Sequence, residues 1–303
     1  MPKKSATGGL RSSASAARTR SRSSLTWART PQDLFKSSPR IRCLRTPVSS
    51  RAFVTSRFDR RVAADGAVSR IHQEDFCQAL GVYPSRKYEE DGGPTMADMV
   101  QLVNRTSSPS YRAGDRGELA DLFIFNLLVA GVDAHAKNHS MLHVGSTTRL
   151  APAYDLISAH GFWAEDRVVF RSSAAVKYGK ERKYRQISGR NIARAADVLG
   201  MRRELMRDTI NAMSTRLSDA FEAAIADVPV DMVTDALLEM PSRIRAFADE
   251  FVRRVNAADL SVSAVPRFRG SNAVSEPAGR MWEPGRWRGD RWTTGRYLGR
   301  TGR

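Results

Sequence analysis

The chain has 303 residues, is 41% hydrophobic and carries a formal net charge of +17 at pH 7. This length accommodates one large domain or two ordinary ones, and the composition supports a buried core. No apolar run is long enough to span a bilayer, so a soluble, cytoplasmic protein is expected. Cys43 and Cys77 are the two cysteines, and neither starts a C-x-x-C pattern. Nothing here indicates a disulfide scaffold or a zinc site, which fits a reducing compartment.

The positive charge sits at the two ends. Residues 1–51 hold 12 Lys+Arg against one Asp, and residues 266–303 hold nine Arg against three acids, so the ends carry +11 and +6 and residues 52–265 are neutral. The central part therefore has no basic excess to drive phosphate-backbone binding, and nucleic acid is a partner only through the ends. Residues 1–51, dominated by Ser, Arg, Ala and Gly, read as a disordered segment. A transit peptide, a nucleic-acid arm and a stretch of non-native reading frame stay open as its origin. Residues 261–303, rich in Arg, Gly and Trp, read as a disordered tail. The expected organisation is one folded domain, 52–260, between two disordered basic ends.

Within that domain, residues 52–58 suit a strand, 59–66 a turn and 67–71 a second strand. Residues 72–80 are expected to be helical, with Gly81 as the stop. Asp91-Gly-Gly-Pro94 is a break, after which Thr95 caps a helix over 96–104. A further helix is expected from about Asp115 to Ala130. It is apolar nearly all round beyond Leu119, which marks an element central to its domain. A polar loop is expected after His160, then Ser172–Tyr178 and a basic cluster, Lys180–Arg185, read as a solvated loop. Helices over 189–198, 202–228 and 231–255 complete the domain, with Pro229 and Pro241 marking breaks.

The decisive stretch is residues 122–158. An apolar run ends at Gly131; Asp133-Ala-His-Ala-Lys-Asn138 follows, then an alternating segment (140–144), a Gly-Ser-Thr-Thr turn and a second short segment reaching Asp155. This order reads as buried helix, polar loop, β-hairpin and acid. Phosphoryl transfer needs a carboxylate beside the attacking hydroxyl, an amide oxygen on a metal and a second carboxylate bridging metal to phosphate. Asp133 and Asn138 have the Asp-to-Asn spacing of a kinase catalytic loop. His135, His139 and His143 recur every four residues, which on a helix would stack three imidazoles as a metal site. The Val-Asp break and the alternating 140–144 segment argue against a helix there. His72 and His160 are read as structural.

Three segments resemble the HipA-type serine/threonine protein kinases, the toxins of bacterial toxin–antitoxin pairs. They are Phe58-Asp59-Arg60, similar to a hinge motif; His72–Gly81 with Lys87-Tyr-Glu and Asp91-Gly-Gly-Pro94; and Gly131–Asn138 with Leu150-Ala-Pro-Ala-Tyr-Asp155. The resemblance covers about residues 52–257. It implies a mainly α (α+β) fold: a protein-kinase-like C-terminal helical lobe with a small β-hairpin at the catalytic loop and a remnant of the N-lobe.

It further implies transfer of the ATP γ-phosphoryl group to a protein serine, with Mg²⁺ as metal and a DNA-binding antitoxin of the HipB type as partner. Asp133 would be the general base, and Asn138 and Asp155 would hold Mg²⁺, with Tyr154 beside them. Lys137 would lie near the phosphates, and His135, Ala136, Lys137 and Asn138 would line the nucleotide site. The hinge residues Ser56, Arg57 and Phe58 would offer backbone groups to adenine. The sequence departs from the family at its front. Before Arg57 the lysines are Lys3, Lys4 and Lys36, none in a strand context; Gly8-Gly9 makes a poor phosphate loop; and Ser56 replaces the hinge Glu. The expectation is a truncated kinase, weak or inactive alone. The alternatives are a non-catalytic interaction module for an antitoxin-like partner and nucleic-acid binding through the basic ends.

Overall fold

The structure, a computed structural model, describes residues 57–257, together with the backbone of short strands at 41–45, 51–55, 281–283, 286–288, 291–293 and 296–298. Apart from those strands, the expected disordered segments 1–51 and 261–303 lie outside the described residues, as does hinge position Ser56. Strands β1 (Ile41–Arg45) and β2 (Arg51–Thr55) pair antiparallel. Strands β3 (Arg60–Val62) and β4 (Val68–Arg70) form a hairpin, with β3 inside the 59–66 stretch expected to be all turn.

A larger departure from expectation comes at His72. Residues His72–Asp75 are a strand, β5, and only Phe76–Leu80 are helical (α1). β5 pairs antiparallel with β6 (Ser140–Val144), placing His72 opposite His143 and Asp75 opposite Ser140. Pairing with a strand far along the chain overrides the local helical pattern. Asp75 then caps α1 in a reciprocal capping box with Gln78, and Gly81 ends it in the left-handed conformation (φ 68°). Strand β7 (Thr147–Leu150) completes a three-stranded sheet in the order β5-β6-β7.

Helix α2 (Met96–Thr106) starts at Thr95, whose hydroxyl and Asp98 form a second capping box. Helix α3 runs from Pro109 to Leu128, two turns earlier than its apolar pattern indicates. Its polar first turns carry no hydrophobic signal, but Pro109 occupies the first turn, where a missing N–H costs nothing. Every residue from Leu119 to Leu128 is buried, so α3 is the axis of the domain. Asp115, itself buried, accepts from the Ser107 hydroxyl at 2.6 Å and the Leu150 amide at 2.9 Å, which ties α3 to β7.

The expected polar loop after His160 contains a short helix, α4 (Glu165–Arg171). Strand β8 (Ser173–Tyr178) and β9 (Glu181–Lys183) follow as a hairpin, then α5 (Gly189–Leu199), α6 (Arg203–Ala226) and α7 (Asp235–Ala257). Pro241 lies inside α7 rather than at a break. The helix carries it because Ile244, Phe247, Ala248, Phe251 and Val255 form a buried face beyond it, and Pro241 is buried too. That burial outweighs one lost backbone hydrogen bond. Tyr178 anchors the hairpin by donating to the Phe123 carbonyl at 2.6 Å, inside a single core shared by α2, α3, α5, α6 and α7. Among the described residues no helix is long and apolar enough to cross a membrane. The fold is mainly helical with small sheets.

Candidate functional site

The site forms where α3 ends. Ala130 takes a left-handed conformation (φ 52°) just past the helix, and the Gly131 amide donates to the Asn126 carbonyl at 2.7 Å. This turn ejects the chain from the core into residues 133–138. A Cβ on Gly131 would stand 2.4 Å from the Asn126 side-chain oxygen, so only glycine fits there without displacing that amide. The Asn126 amide in turn donates to the Leu122 carbonyl at 2.9 Å.

Asp133 opens the loop. Its carboxylate accepts a hydrogen bond from the Tyr88 phenol and lies 3.7 Å from His135 Nε2. The Tyr88 ring meets the His135 imidazole edge-on at 5.0 Å. Burial, the Asp133 hydrogen bond and its charge push the Tyr88 phenol up to about 12, so it remains a donor throughout the neutral range. Burial pushes the His135 imidazole down, against the opposing pull of Asp133.

Asn138 closes the loop by donating its side-chain N–H to the Asp133 carbonyl at 2.8 Å. The amide oxygen is therefore the end of Asn138 left for the cleft it lines. That cleft, of about 220 Å³ counting its mouth, is bordered by Asn138, Asp155, Asn126, His139 and four apolar residues. Its enclosed part is small, with room for about one ion or water. Asp155 reaches it with a left-handed backbone (φ 54°), a conformation that Asp and Asn tolerate best among residues with a Cβ. Such conformations concentrate at functional sites because they have to be held by their surroundings.

The Lys137 ammonium lies 2.7 Å from Asp75 Oδ2. The Lys137 carbonyl accepts from Tyr154 at 2.7 Å, and the Tyr154 hydroxyl also meets Ser140. Burial pushes the Tyr154 phenol up to about 12. The Phe58 ring lies 5.9 Å from the Tyr154 ring, which brings the segment expected as the hinge against the loop. Arg57 holds Asp59 through two hydrogen bonds of 2.8 and 2.6 Å, and these lower the Asp59 carboxyl.

Asn138 and Asp155 thus line one cleft, Asn138 also bonds the Asp133 carbonyl, and Tyr154 links the Lys137 carbonyl to Phe58. The side chains of His135 and Ala136 are buried, 4% and 1% exposed, so these two support the loop from below. The three regularly spaced histidines separate: His135 precedes a 3-10 turn, His139 is buried against Phe76 and Phe123, and His143 stands in β6.

Sequence reasoning gave no role to Tyr88, Asp75 or the acids after Tyr88. The Tyr88 loop is fastened by Glu89 and Glu90. Glu89 accepts from the Lys177 amide at 2.7 Å, and Glu90 pairs with Arg182. Arg182 belongs to the basic cluster read as a solvated loop, so one of its charges holds the segment that orients Asp133. The Lys87-Tyr-Glu segment was a visible signal, but its partners are far away in sequence.

The profile of the HipA-like C-terminal domain matches residues 34–221. The Sinorhizobium fredii protein Y4mE is 38% identical over 209 residues, covering 69% of this chain and 47% of the relative. The serine/threonine-protein kinase toxin HipA of Shewanella oneidensis is 31% identical over 188 residues, covering 59% of this chain and 42% of the relative. The chain thus spans about half the length of the curated relatives it matches. A chain in the structure of the Shewanella oneidensis complex of HipA, HipB and operator DNA superposes with a TM-score of 0.64 at 23% identity. That superposition covers 76% of this chain and 56% of that one, and it shows a shared kinase-like fold. The chain belongs to the HipA-like C-terminal domain family.

Proposed function

We propose that this domain is the catalytic lobe of a serine/threonine protein kinase of the toxin class, acting on a protein seryl hydroxyl in the cytoplasm. The observation that carries the reading is that Asn138 and Asp155 line one cleft while Asp133 begins the loop that Asn138 closes. An amide oxygen and a carboxylate are hard oxygen donors of the kind Mg²⁺ takes, so the residues present fit that ion. When bound, Mg·ATP supplies the phosphoryl group and shields its charge.

The chain's own residues do the rest. Asp133 accepts the seryl proton, held in place by the Tyr88 phenol and flanked by His135. Asn138 and Asp155 would hold the metal end of the nucleotide. Lys137 lies beside them to meet phosphate charge, with Asp75 as its counter-ion in the resting site. The Phe58 segment would receive the adenine side. Because a HipB-type protein accompanies HipA in the Shewanella oneidensis complex, a HipB-type antitoxin is the proposed partner.

A second reading is an interaction module without transfer. It requires only that the folded domain present a surface to a partner, with no transfer of a phosphoryl group. One experiment separates the readings: Mg·ATP binding by calorimetry beside the Asp155→Asn variant, which keeps a residue suited to the left-handed backbone. Binding that the variant loses supports the kinase reading. A folded protein that binds no Mg·ATP leaves the interaction module. A third possibility, nucleic-acid binding through the ends, predicts affinity that vanishes when residues 1–51 and 266–303 are removed and falls steeply with salt.

A further inference from the structure

We propose that His72, Glu74 and His143 form a site for a divalent transition-metal ion, best suited to Zn²⁺, on one face of the β5–β6 pair. His72 and Glu74 are two apart on β5 and so share a face, and His143 is the cross-strand partner of His72 on β6. One ligand atom from each lies within 4.8 Å of the other two. His143 Nε2 is 3.2 Å from Glu74 Oε2, and His72 Nε2 is 4.0 Å from Glu74 Oε1. Bonds of about 2.0–2.1 Å to a tetrahedral zinc place neighbouring ligand atoms roughly 3.4 Å apart, so these separations need only small side-chain rotations to converge. The two imidazoles are stacked at 5.1 Å, which already directs both rings to the same side of Glu74.

The surroundings suit a metal as well. The other ring nitrogen of His143, Nδ1, lies 3.1 Å from Thr148 Oγ1, the kind of outer contact that fixes a ligating histidine. The contact between His143 Nε2 and Glu74 falls outside hydrogen-bond geometry, so it is a close approach without a well-directed bond. The three side chains are 16%, 22% and 29% exposed, which gives an ion a way in. Two imidazoles and one carboxylate also differ in chemistry from the oxygen-only pair Asn138 and Asp155, so the two sites select different ions. A bound ion would clamp the strand that follows the hinge to the strand that follows the catalytic loop.

The test uses the full chain, stripped with chelator and titrated with Zn²⁺ by calorimetry, with Co²⁺ absorption as an independent probe. The expected result is one equivalent bound, a melting temperature raised by about 5 °C at saturating ion, and visible bands of tetrahedral Co²⁺. Glu74→Gln and His143→Gln should each weaken Zn²⁺ binding at least about tenfold, while Asp155→Asn leaves it unchanged. Absence of tetrahedral Co²⁺ bands in the unmodified protein overturns the proposal without reference to any variant. Binding that survives both substitutions, or that only Asp155→Asn removes, overturns it too.

Discussion

The phenol of Tyr88 donates to the carboxylate of Asp133, joining two loops 45 residues apart in the chain. A charged hydrogen bond of this kind orients the carboxylate and narrows its freedom. Tyr88→Phe keeps the ring against His135 and removes only the donor. On the proposed kinase reading, the expected outcome is an intact fold and a kcat for seryl phosphorylation lowered about tenfold, with KM for ATP little changed. Steady-state kinetics beside a melting curve check this, and an unchanged kcat would show that Asp133 needs no help from the phenol.

Asp75 serves two masters, capping α1 and neutralising Lys137. Asp75→Asn keeps a good cap and removes the counter-ion. A part-buried pair of this kind is worth about 1 kcal/mol, so the stability cost is small. The freed ammonium should then tighten Mg·ATP binding several-fold, and Lys137→Met should weaken it. Calorimetric titration of both variants decides the matter, and equal affinities in all three proteins would remove Lys137 from the phosphate site.

Gly131→Ala pushes a methyl into the Asn126 amide. Overpacking in a buried site costs about 1–3 kcal/mol, and here it acts directly on the wall of the cleft. The loss should shrink when Asn126→Ala is added, giving a positive coupling in a double-mutant cycle read by denaturant unfolding.

Acid should destabilise the fold through its buried imidazoles. Burial lowers His139 and His160 from an ordinary value of 6.5 to about 4. Between those limits the unfolded chain binds protons that the folded one does not. Stability is therefore complete above pH 6.5 and falls as pH drops toward 4. The loss is on the order of 1–2 kcal/mol per histidine at pH 5, so the melting temperature should fall by about 5 °C or more between pH 7.5 and 5. His139→Gln should flatten that slope. A melting temperature flat over the range would show that neither imidazole is held neutral.

What the sequence made legible was local. The apolar run before Gly131, the Asp133-to-Asn138 spacing, the hairpin and Asp155 all lie within one short span, and periodicity and turn residues marked each. Thr95 and Gly81 announced their caps because capping is a contact between near neighbours. What stayed hidden was long-range. β5 reads as helix until β6 pairs with it, and Tyr88 becomes part of the site only through Asp133. Lys137 meets Asp75 62 residues away. Pro241 misled for the same reason, because the burial that sustains α7 comes from other helices. Phe58 and Tyr154 were each legible, but their contact was not.

The pairing of β5 with β6 also sets where the chain can change in length. Side chains alternate along a strand, so removing one residue between Ile71 and Phe76 would turn His72 and Glu74 to the opposite face and slide the hinge away from Tyr154. The exposed turn between β3 and β4, at residues 63–66, bears no such constraint. Insertions, tags or reporter peptides placed there should be accepted silently, while the few residues after it should behave as a fixed ruler between hinge and loop.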